Sequence, residues 1–147
     1  MDADRRSLAE RLDDAVVGLR RLTLDRQELS LTAASALSTL RRAGPCRLTE
    51  LARAEGVSQP SMTALAGRLT RAGLVQRATD PTDGRAVLLA LTPAGAELLD
   101  RRRAARAARL AGPLDDLADD DVARIAEALP ALARLAGAPP NPSEEDT

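Results

Sequence analysis

The fold is decided by residues 49–72, which read TELARAEGVSQPSMTALAGRLTRA. Apolar residues recur there at intervals of three and four, which predicts two short helices, 49–55 and 58–72, on either side of Gly56. Gly56 permits the positive φ of a tight turn, and Ser58 is placed to cap the second helix. The side chains expected to bury against one another are Leu51, Val57, Leu65 and Leu69. This stretch therefore predicts a helix-turn-helix, a motif whose second helix presents its first turn to the major groove of DNA.

The first turn of the second helix carries candidate DNA contacts. Gln59, Pro60 and Ser61 fill this turn. The Gln and Ser side chains can hydrogen-bond base edges or phosphates, and the exposed N–H groups and the helix dipole favour phosphate. Because helix-turn-helix patterns also arise by chance in helical proteins, the flanking sequence has to support the assignment.

After this helix the apolar residues no longer recur at helical intervals, and the sequence predicts a β-hairpin. Residues 74–77 and 86–91 have the composition of short strands, and the polar residues 80–85 form the turn between them. Thr92 is placed as the N-cap of a long helix that starts at Pro93 and ends near Leu110. At the first position of a helix the missing N–H of proline costs no hydrogen bond.

Amphipathic helices are predicted before and after this region, at residues 4–23, about 32–43 and 119–135. The first and last of them carry more apolar surface than one small lobe could cover. These apolar rows are Leu8, Leu12, Val16 and Leu19, and Val122, Ile125, Leu129 and Leu132. We therefore expect a homodimer. Residues 137–147 are acidic and rich in proline, and they are predicted to be disordered.

Charge is distributed unevenly along the chain, although the formal net charge is only −1. Residues 37–109 hold 13 Arg against six acidic residues, whereas residues 110–147 hold two Arg against nine. This distribution is expected if only the middle of the chain meets phosphate, although a basic segment is also typical of a solvated face.

Composition excludes several kinds of site. The chain contains no His, Phe, Trp or Tyr, which excludes histidine general bases, His-ligated metal sites and base stacking on aromatic rings. With no phosphate-cradling glycine loop either, we expect neither an enzyme nor a cofactor or metal. Cys46 is the single cysteine, no apolar leader opens the chain, and no apolar run approaches the roughly 18 residues of a membrane helix. A cytoplasmic location is therefore expected.

Three motifs follow the helix-turn-helix: GLVQR at residues 73–77, an Asp-rich turn at 80–85 that ends in Arg85, and LALTPAG at residues 89–95. Together with the Gln-Pro-Ser start of the recognition helix, they resemble the winged helix of the multiple-antibiotic-resistance regulator (MarR) family. Members of that family typically show a Gly-Leu-Val-x-Arg segment, an Asp-rich wing ending in Arg, and a Leu-Thr-x-x-Gly start to the next helix. The resemblance covers residues 8–135.

The resemblance implies a mainly α fold with a small β-hairpin wing (α+β), in which dimerisation helices flank a winged helix-turn-helix. Its parts would be an N-terminal dimerisation helix (4–30), a DNA-binding lobe (31–92), linker and dimerisation helices (93–136) and an acidic tail (137–147). The implied function is transcription regulation, usually repression, by a homodimer that binds a pseudo-palindromic duplex and is released by a small, often anionic ligand. A winged helix used only for protein contacts is the alternative.

The resemblance also assigns residues by position. The implied DNA contacts are Ser58, Gln59, Pro60, Ser61, Thr63, Arg68 and Arg85. Arg85 would enter the minor groove, where a narrow A·T tract attracts arginine, or it would form a salt bridge with Asp80 or Asp83 that shapes the turn. The implied ligand pocket consists of Val16, Arg20, Leu37 and Arg41, although arginines on such helices are also typical of a solvated face.

Four further positions complete the interpretation. Arg77 is expected to tie the wing to the helix, and Cys46 is interpreted as incidental. Ala64 stands where many relatives carry Arg, and Gly67 stands where they often carry an acidic residue that pairs with the wing arginine. A glycine inside a helix also costs about 1 kcal/mol of helix propensity. These two departures leave the operator sequence and the rigidity of the wing open.

Overall fold

The computed structural model describes residues 3–23, 29–80, 82–83 and 87–137. Six helices and three short strands lie in these ranges. In chain order they are α1 (Ala3–Thr23), α2 (Leu31–Ala43), β1 (Cys46–Arg47), α3 (Leu48–Ala54), α4 (Gln59–Arg71), β2 (Val75–Thr79), β3 (Val87–Leu91), α5 (Pro93–Asp115) and α6 (Asp119–Leu135). The chain divides into two compact units, of which the first ends at Arg106 and the second starts at Ala107. The prediction of a mainly helical fold with a small hairpin is confirmed.

The helices match the sequence prediction closely, with one exception. Five of them begin and end within about one residue of the predicted bounds, whereas α5 continues to Asp115 instead of ending near Leu110. The predicted C-terminal end of α5 lay just before Gly112 and Pro113. In the structure, Pro113 is inside the helix. The φ of proline is close to helical, so a helix continues through it if the missing hydrogen bond is tolerated.

The core of the first unit is formed by three helices and the sheet, with one leucine from α5. Its buried members are Ala33, Ala36, Leu37, Leu40, Leu51, Ala52, Met62, Leu65, Ala66, Leu69, Val75, Leu89 and Leu99. The predicted cluster of the helix-turn-helix is confirmed, since Leu51, Leu65 and Leu69 are buried and Val57 packs against them half-buried. Helix α3 and helix α4 are joined by Gly56, whose φ of +64° confirms the predicted left-handed turn.

The sheet has three antiparallel strands in the order β1-β3-β2. The hairpin pairs Val75 with Leu91, Arg77 with Leu89 and Thr79 with Val87. The sequence analysis missed β1, which pairs Cys46 with Leu89. Two residues are too short to show an alternating pattern, so only the tertiary pairing reveals this strand.

Thr92 links the end of the hairpin to the start of α5. Its Oγ1 accepts a hydrogen bond from the backbone N–H of Gly95 over 3.1 Å, and its hydroxyl donates to the carbonyl of Gly73 over 2.6 Å. The prediction of Thr92 as N-cap and Pro93 as the first helical residue is therefore confirmed. The second hydrogen bond also fixes α5 to the turn that follows α4.

Helix α6 belongs to the second unit and is amphipathic. Asp119, Asp120 and Asp121 occupy its first turn, where the dipole favours acidic side chains, and Arg124 forms an ion pair of 3.0 Å with Asp121. No residue of α6 is buried. The predicted disorder of the tail, residues 137–147, stays a prediction. From residue 138 onward the tail lies outside the described part of the chain.

Candidate nucleic-acid interface

The recognition helix α4 begins with a side-chain cap. The backbone N–H of Ser61 donates to Oγ of Ser58 over 3.3 Å, and the Ser58 hydroxyl donates to Oγ of Ser61 over 2.9 Å. This confirms the predicted N-cap. Ser58 therefore holds the first turn of α4 in place, whether or not it also meets DNA.

Helix α4 has one buried and one exposed face. Its buried side chains, spaced by three and four, are Met62, Leu65, Ala66 and Leu69. The exposed face carries the predicted contacts Gln59, Pro60, Ser61, Thr63 and Arg68. Every predicted contact on this helix is thus exposed, on a helix that the core holds rigidly.

The side chains on the exposed face of α4 differ in whether they still have a hydrogen-bond donor to offer to DNA. Thr63 donates its hydroxyl hydrogen to the carbonyl of Gln59 over 2.8 Å, so it has no proton left for a phosphate oxygen. Within the described ranges, the side chains of Gln59 and Arg68 make no hydrogen bond. Among the predicted contacts on this helix, Gln59 at the first turn and Arg68 two turns later therefore have free donors to offer.

The helices beside the recognition helix carry further exposed arginines, and their two acidic side chains accept hydrogen bonds from neutral groups of the protein. Glu50 accepts the backbone N–H of Arg47 over 2.9 Å, and Glu55 accepts the hydroxyl of Thr39 over 2.7 Å. Arg53 on α3 and Arg71 on α4 are exposed. An exposed basic surface beside the recognition helix suits the phosphate backbone of DNA.

The base of the wing is held by Arg47, a residue that the sequence analysis did not single out. Arg47 Nη2 lies 3.0 Å from Oδ2 of Asp80 and 3.7 Å from Oδ2 of Asp83. Asp80 also accepts the hydroxyl and the backbone N–H of Thr82 over 2.7 and 2.9 Å. These hydrogen bonds from Thr82, followed by that from Arg47, hold the pKa of Asp80 well below its usual value. Arg85, the predicted minor-groove residue, lies outside the described part of the chain.

We expect the wing to loosen in acid because of Asp80. A carboxylate whose pKa is lowered on folding stabilises the folded state above its unfolded pKa, and this contribution is lost as the pH falls below about 4. Thermal melts between pH 6 and pH 3 should therefore show a shallower loss of stability for Asp80→Asn than for the wild type. Asp116→Asn, which removes an exposed carboxylate just after α5, provides the control and should keep the wild-type profile. Identical profiles for wild type and Asp80→Asn would contradict this assignment.

The structure gives the role predicted for Arg77 to Arg47 instead. Arg77 is exposed and makes no hydrogen bond or ion pair within the described ranges. Its position on β2, opposite Leu89, places it on the same sheet face as the buried Val75. Among the described residues, Arg77 therefore has no partner for its charge beside helix α4.

The four predicted ligand-pocket residues have different surroundings. Val16 and Arg20 are exposed, one turn apart on α1, whereas Leu37 is completely buried in the core. Arg41, one turn after Leu37, is paired with Asp100 over 2.7 Å. The assignment of a ligand pocket to these residues stays a prediction.

Arg102 on α5 is a further residue that the sequence analysis missed. Its Nε and Nη1 are buried and have no hydrogen-bond partner in the part of the chain described here. On a helix with five arginines between residues 101 and 109, nothing in the sequence distinguishes this one.

The described residues show no sign of a reactive cysteine, a metal site or a membrane-spanning helix. Burial and the nearby Glu50 raise the pKa of the Cys46 thiol, which makes this cysteine a poorer nucleophile and agrees with its interpretation as incidental. Among the described residues, no three His, Cys, Asp or Glu side chains are grouped so that they could hold a metal ion. No helix in these ranges is long and apolar enough to cross a membrane.

Comparison with known proteins agrees with this geometry. The sequence profile of the MarR family matches residues 29–87. The chain is 40% identical over 131 residues to the HTH-type transcriptional regulator Mb0904 of Mycobacterium bovis, an alignment that covers 86% of this chain and 91% of the relative. A shorter match, 42% identical over 64 residues, is to the HTH-type transcriptional repressor NicR of Pseudomonas putida and covers 44% of this chain and 40% of that protein.

The fold is also found in solved structures. The crystal structure of RV1404 from Mycobacterium tuberculosis superposes with a TM-score of 0.82 at 23% identity, over 95% of this chain and 99% of that one. The match extends over the helices on both sides of the helix-turn-helix and the wing. The chain belongs to the MarR family of helix-turn-helix transcriptional regulators.

Proposed function

We propose that this regulator binds a specific duplex sequence as a homodimer and represses transcription, acting in the cytoplasm. The observation that carries the proposal is the exposed first turn of α4, where the side-chain amide of Gln59 makes no hydrogen bond to the described residues and the opposite helix face is buried in the core. The name of the relative NicR supports repression. A reporter gene placed behind the bound sequence tests the direction, since repression predicts lower expression when the protein is present.

Gln59 and Ser61 are proposed to read bases, whereas Arg68 and Arg85 are proposed to contact the backbone and the minor groove. The major groove presents a different donor and acceptor pattern for each base pair, and a glutamine amide pairs well with adenine. Arginine contacts to phosphate position the protein without reading the sequence.

The reading role of Gln59 predicts a change in specificity. Gln59→Ala should relax the choice at one or two base pairs in each half-site, by about 1–3 kcal/mol per position. Binding of a panel of single-base operator variants by fluorescence anisotropy measures this. Gln76→Ala removes the same side chain from an exposed position on β2 and should leave the preference profile unchanged. Equal discrimination by Gln59→Ala and the wild type would remove Gln59 from the reading surface.

Dimerisation is supported by apolar side chains that the single chain leaves exposed. On α1 the exposed set is Leu8, Val16, Val17, Leu19 and Leu22, and on α6 it is Val122, Ile125, Leu129, Leu132 and Leu135. Rows of this length are unusual on a monomer surface and typical of an interface. We propose that both rows are covered by a second copy, with more than about 2,000 Å² buried in total, as in obligate dimers.

The dimer is tested by sedimentation at micromolar concentration. The wild type should sediment as a dimer, and Leu129→Glu should shift it toward monomer because the charge falls within the apolar row of α6. Ala123→Glu places the same charge on the opposite side of α6 and should remain dimeric. A monomeric wild type would end the proposal.

Release by a small anionic ligand completes the proposed function. Of the two guanidinium groups that the family resemblance offers for it, Arg41 is already paired with Asp100, whereas Arg20 is exposed on α1. Loss of operator binding on addition of small carboxylates tests the release itself, whichever arginine is responsible.

A further inference from the structure

Arg102 on α5 carries a charge that is shielded from water and lacks a counter-charge. Its Nε and Nη1 are buried and find no hydrogen-bond partner anywhere in the described ranges. A buried charge costs free energy unless an oppositely charged, hydrogen-bonded partner offsets that cost, so buried charges in proteins are normally paired. The partner of Arg102 therefore has to come from beyond the described part of this chain.

The position of Arg102 on α5 explains why it is shielded. Residues three and four positions apart share a helix face, and the residues at these distances before Arg102 are the buried Leu99 and Leu98. Arg103 is rotated by about 100° from Arg102 around the helix axis and is exposed. Arg102 thus continues the buried face of α5, while its neighbour faces the solvent.

The carboxylates nearest to Arg102 along α5 are already engaged with other arginines. Asp100 accepts a hydrogen bond from Nη1 of Arg41 over 2.7 Å, and Oε2 of Glu97 lies 3.6 Å from Nη1 of Arg101. Two further arginines, directly after Arg102 and one turn later, add like charge to the same stretch of helix. This part of α5 therefore increases the need for a counter-charge and does not supply one.

Carboxylates without a partner are found on α1, a helix whose described side chains are nearly all exposed. Asp13 and Asp14 make no hydrogen bond or ion pair within the described ranges. They lie shortly before Val16, a member of the exposed apolar row that is proposed to meet a second copy. The acidic residues in the first turn of α6 are stabilised by the helix dipole, whereas Asp13 and Asp14 lie in the middle of α1 and gain nothing from it.

We propose that the guanidinium of Arg102 forms an ion pair with Asp13 or Asp14 of a second copy of the chain. This inference rests on the proposed homodimer, whose two-fold symmetry forms the pair twice. A small anion from solution loses its translational freedom on binding, whereas a carboxylate on a partner helix is already held in place by the apolar rows. The pair fixes the register of the two copies, which apolar rows alone define less sharply.

Arg102→Met tests the pair because it keeps an apolar stem of similar length and removes the charge. The carboxylate of the second copy is then left unpaired at the interface, so the dissociation constant of the dimer should rise about tenfold or more. Arg103→Met removes the neighbouring charge from the exposed side of α5 and should change this constant less than about twofold. Sedimentation equilibrium measures both constants, and circular dichroism confirms that each full-length variant is folded.

Removal of both partners of the pair should cost little more than removal of one. Asp13→Asn combined with Asp14→Asn should weaken the dimer about as much as Arg102→Met does. Adding Arg102→Met to these two substitutions should then raise the dissociation constant less than about threefold further, because the pair is already lost. Fully multiplicative effects would contradict a direct contact between these residues.

The absence of lysine from the sequence allows a direct test by cross-linking. In Arg102→Lys the new amine is the only one besides the N-terminus, and a carbodiimide joins an amine to a carboxylate in contact with it through an amide bond. The full-length variant should give a covalent dimer on a denaturing gel, with the amide mapped by mass spectrometry between residue 102 and Asp13 or Asp14. The wild type should give no covalent dimer. Arg124→Lys should give an amide within one chain only, because Arg124 pairs with Asp121 of its own chain.

A mixture of isotope-labelled and unlabelled chains separates amides within one chain from amides between two. The ion pair would be overturned by a dimeric Arg102→Lys protein that gives no covalent dimer, or by an amide from residue 102 to any carboxylate other than Asp13 or Asp14 of the second copy. Equal weakening of the dimer by Arg102→Met and Arg103→Met would overturn it as well. Each of these results in a dimeric protein leaves the proposed homodimer intact, whereas a monomeric wild type would end both proposals.

Discussion

Replacement of Gly95 by alanine is expected to lower the free energy of unfolding by about 3 kcal/mol, at the upper end of the range for overpacking. A Cβ at this position would overlap the backbone carbonyl of Leu74 and would lie 2.7 Å from Cδ1 of Leu91. The Leu74 carbonyl also accepts the backbone N–H of Thr92 over 3.1 Å, so moving it would break the junction between the hairpin and α5. Backbone cannot rotate away as a side chain can, which is why the expected loss is large.

Thermal and chemical unfolding at one fixed protein concentration measure this effect. The melting temperature of Gly95→Ala should fall by roughly 10 °C. Gly67→Ala is the matched control, because it also adds a methyl group inside a helix but meets only Arg71 at 3.7 Å. That variant should be more stable than the wild type by up to about 1 kcal/mol. Equal melting temperatures for Gly95→Ala and the wild type would contradict the close approach of α5 to Leu74.

The second large effect that we expect is a loss of affinity for duplex DNA as the salt concentration rises. If each dimer neutralises on the order of 6–10 phosphates, its affinity for duplex DNA should fall about 10³–10⁵-fold between 50 and 200 mM salt. The physical cause is the release of counterions from DNA when arginines such as Arg53, Arg68 and Arg71 approach the backbone. Anisotropy titrations at several salt concentrations give the slope directly.

Single arginine variants show which surface of the protein causes the salt dependence of DNA binding. Arg68→Ala should make the slope shallower by about one for each site that is lost. Arg124→Ala removes an exposed arginine from α6, where it pairs with Asp121, and should leave the slope unchanged. Affinity that does not respond to salt would contradict a phosphate-binding role for this face.

Much of the DNA-binding lobe could be predicted because its determinants are local. The spacing of Leu51, Leu65 and Leu69 predicts two helices with a shared buried face, and Gly56 predicts the turn between them. Thr92 before Pro93 predicts where α5 begins, and the structure confirms it through the hydrogen bond from Gly95. Each of these features depends on residues within one helix-turn-helix or one helix start, so periodicity and capping rules suffice.

The wing depends on contacts between distant parts of the sequence, which local sequence rules cannot predict. Arg47 meets Asp80, a partner 33 residues away, and this contact exists only because β1 joins the sheet beside β3. The two residues of β1 carry no alternating pattern, so neither the strand nor the ion pair could be expected. Without that pairing, Arg77 is the obvious candidate to hold the wing, but its guanidinium makes no hydrogen bond or ion pair with the described residues.

The cavity between α4 and the sheet, lined by Gly67 and Arg77 among others, could not be predicted for a related reason. Gly67 was noted as a departure from the family pattern, but a missing side chain has no meaning until its neighbours are known. Only the packing of α4 against the sheet shows that the unfilled volume at Gly67 and the unpaired Arg77 border the same cavity. The burial of Leu37, which the family resemblance places in a ligand pocket, likewise follows from tertiary packing.

The central claim is that two copies of α4 read DNA through their first turns, and sequencing the DNA that the full-length protein retains from a fragmented genomic library tests it most directly. The predicted result is one shared pseudo-palindrome with half-sites about one helical turn, roughly 10 base pairs, apart. Repeating the selection with Gln59→Ala should blur the same one or two positions in both half-sites. Retained fragments with no common sequence, or a motif without two-fold symmetry from a folded wild-type protein, would contradict the account.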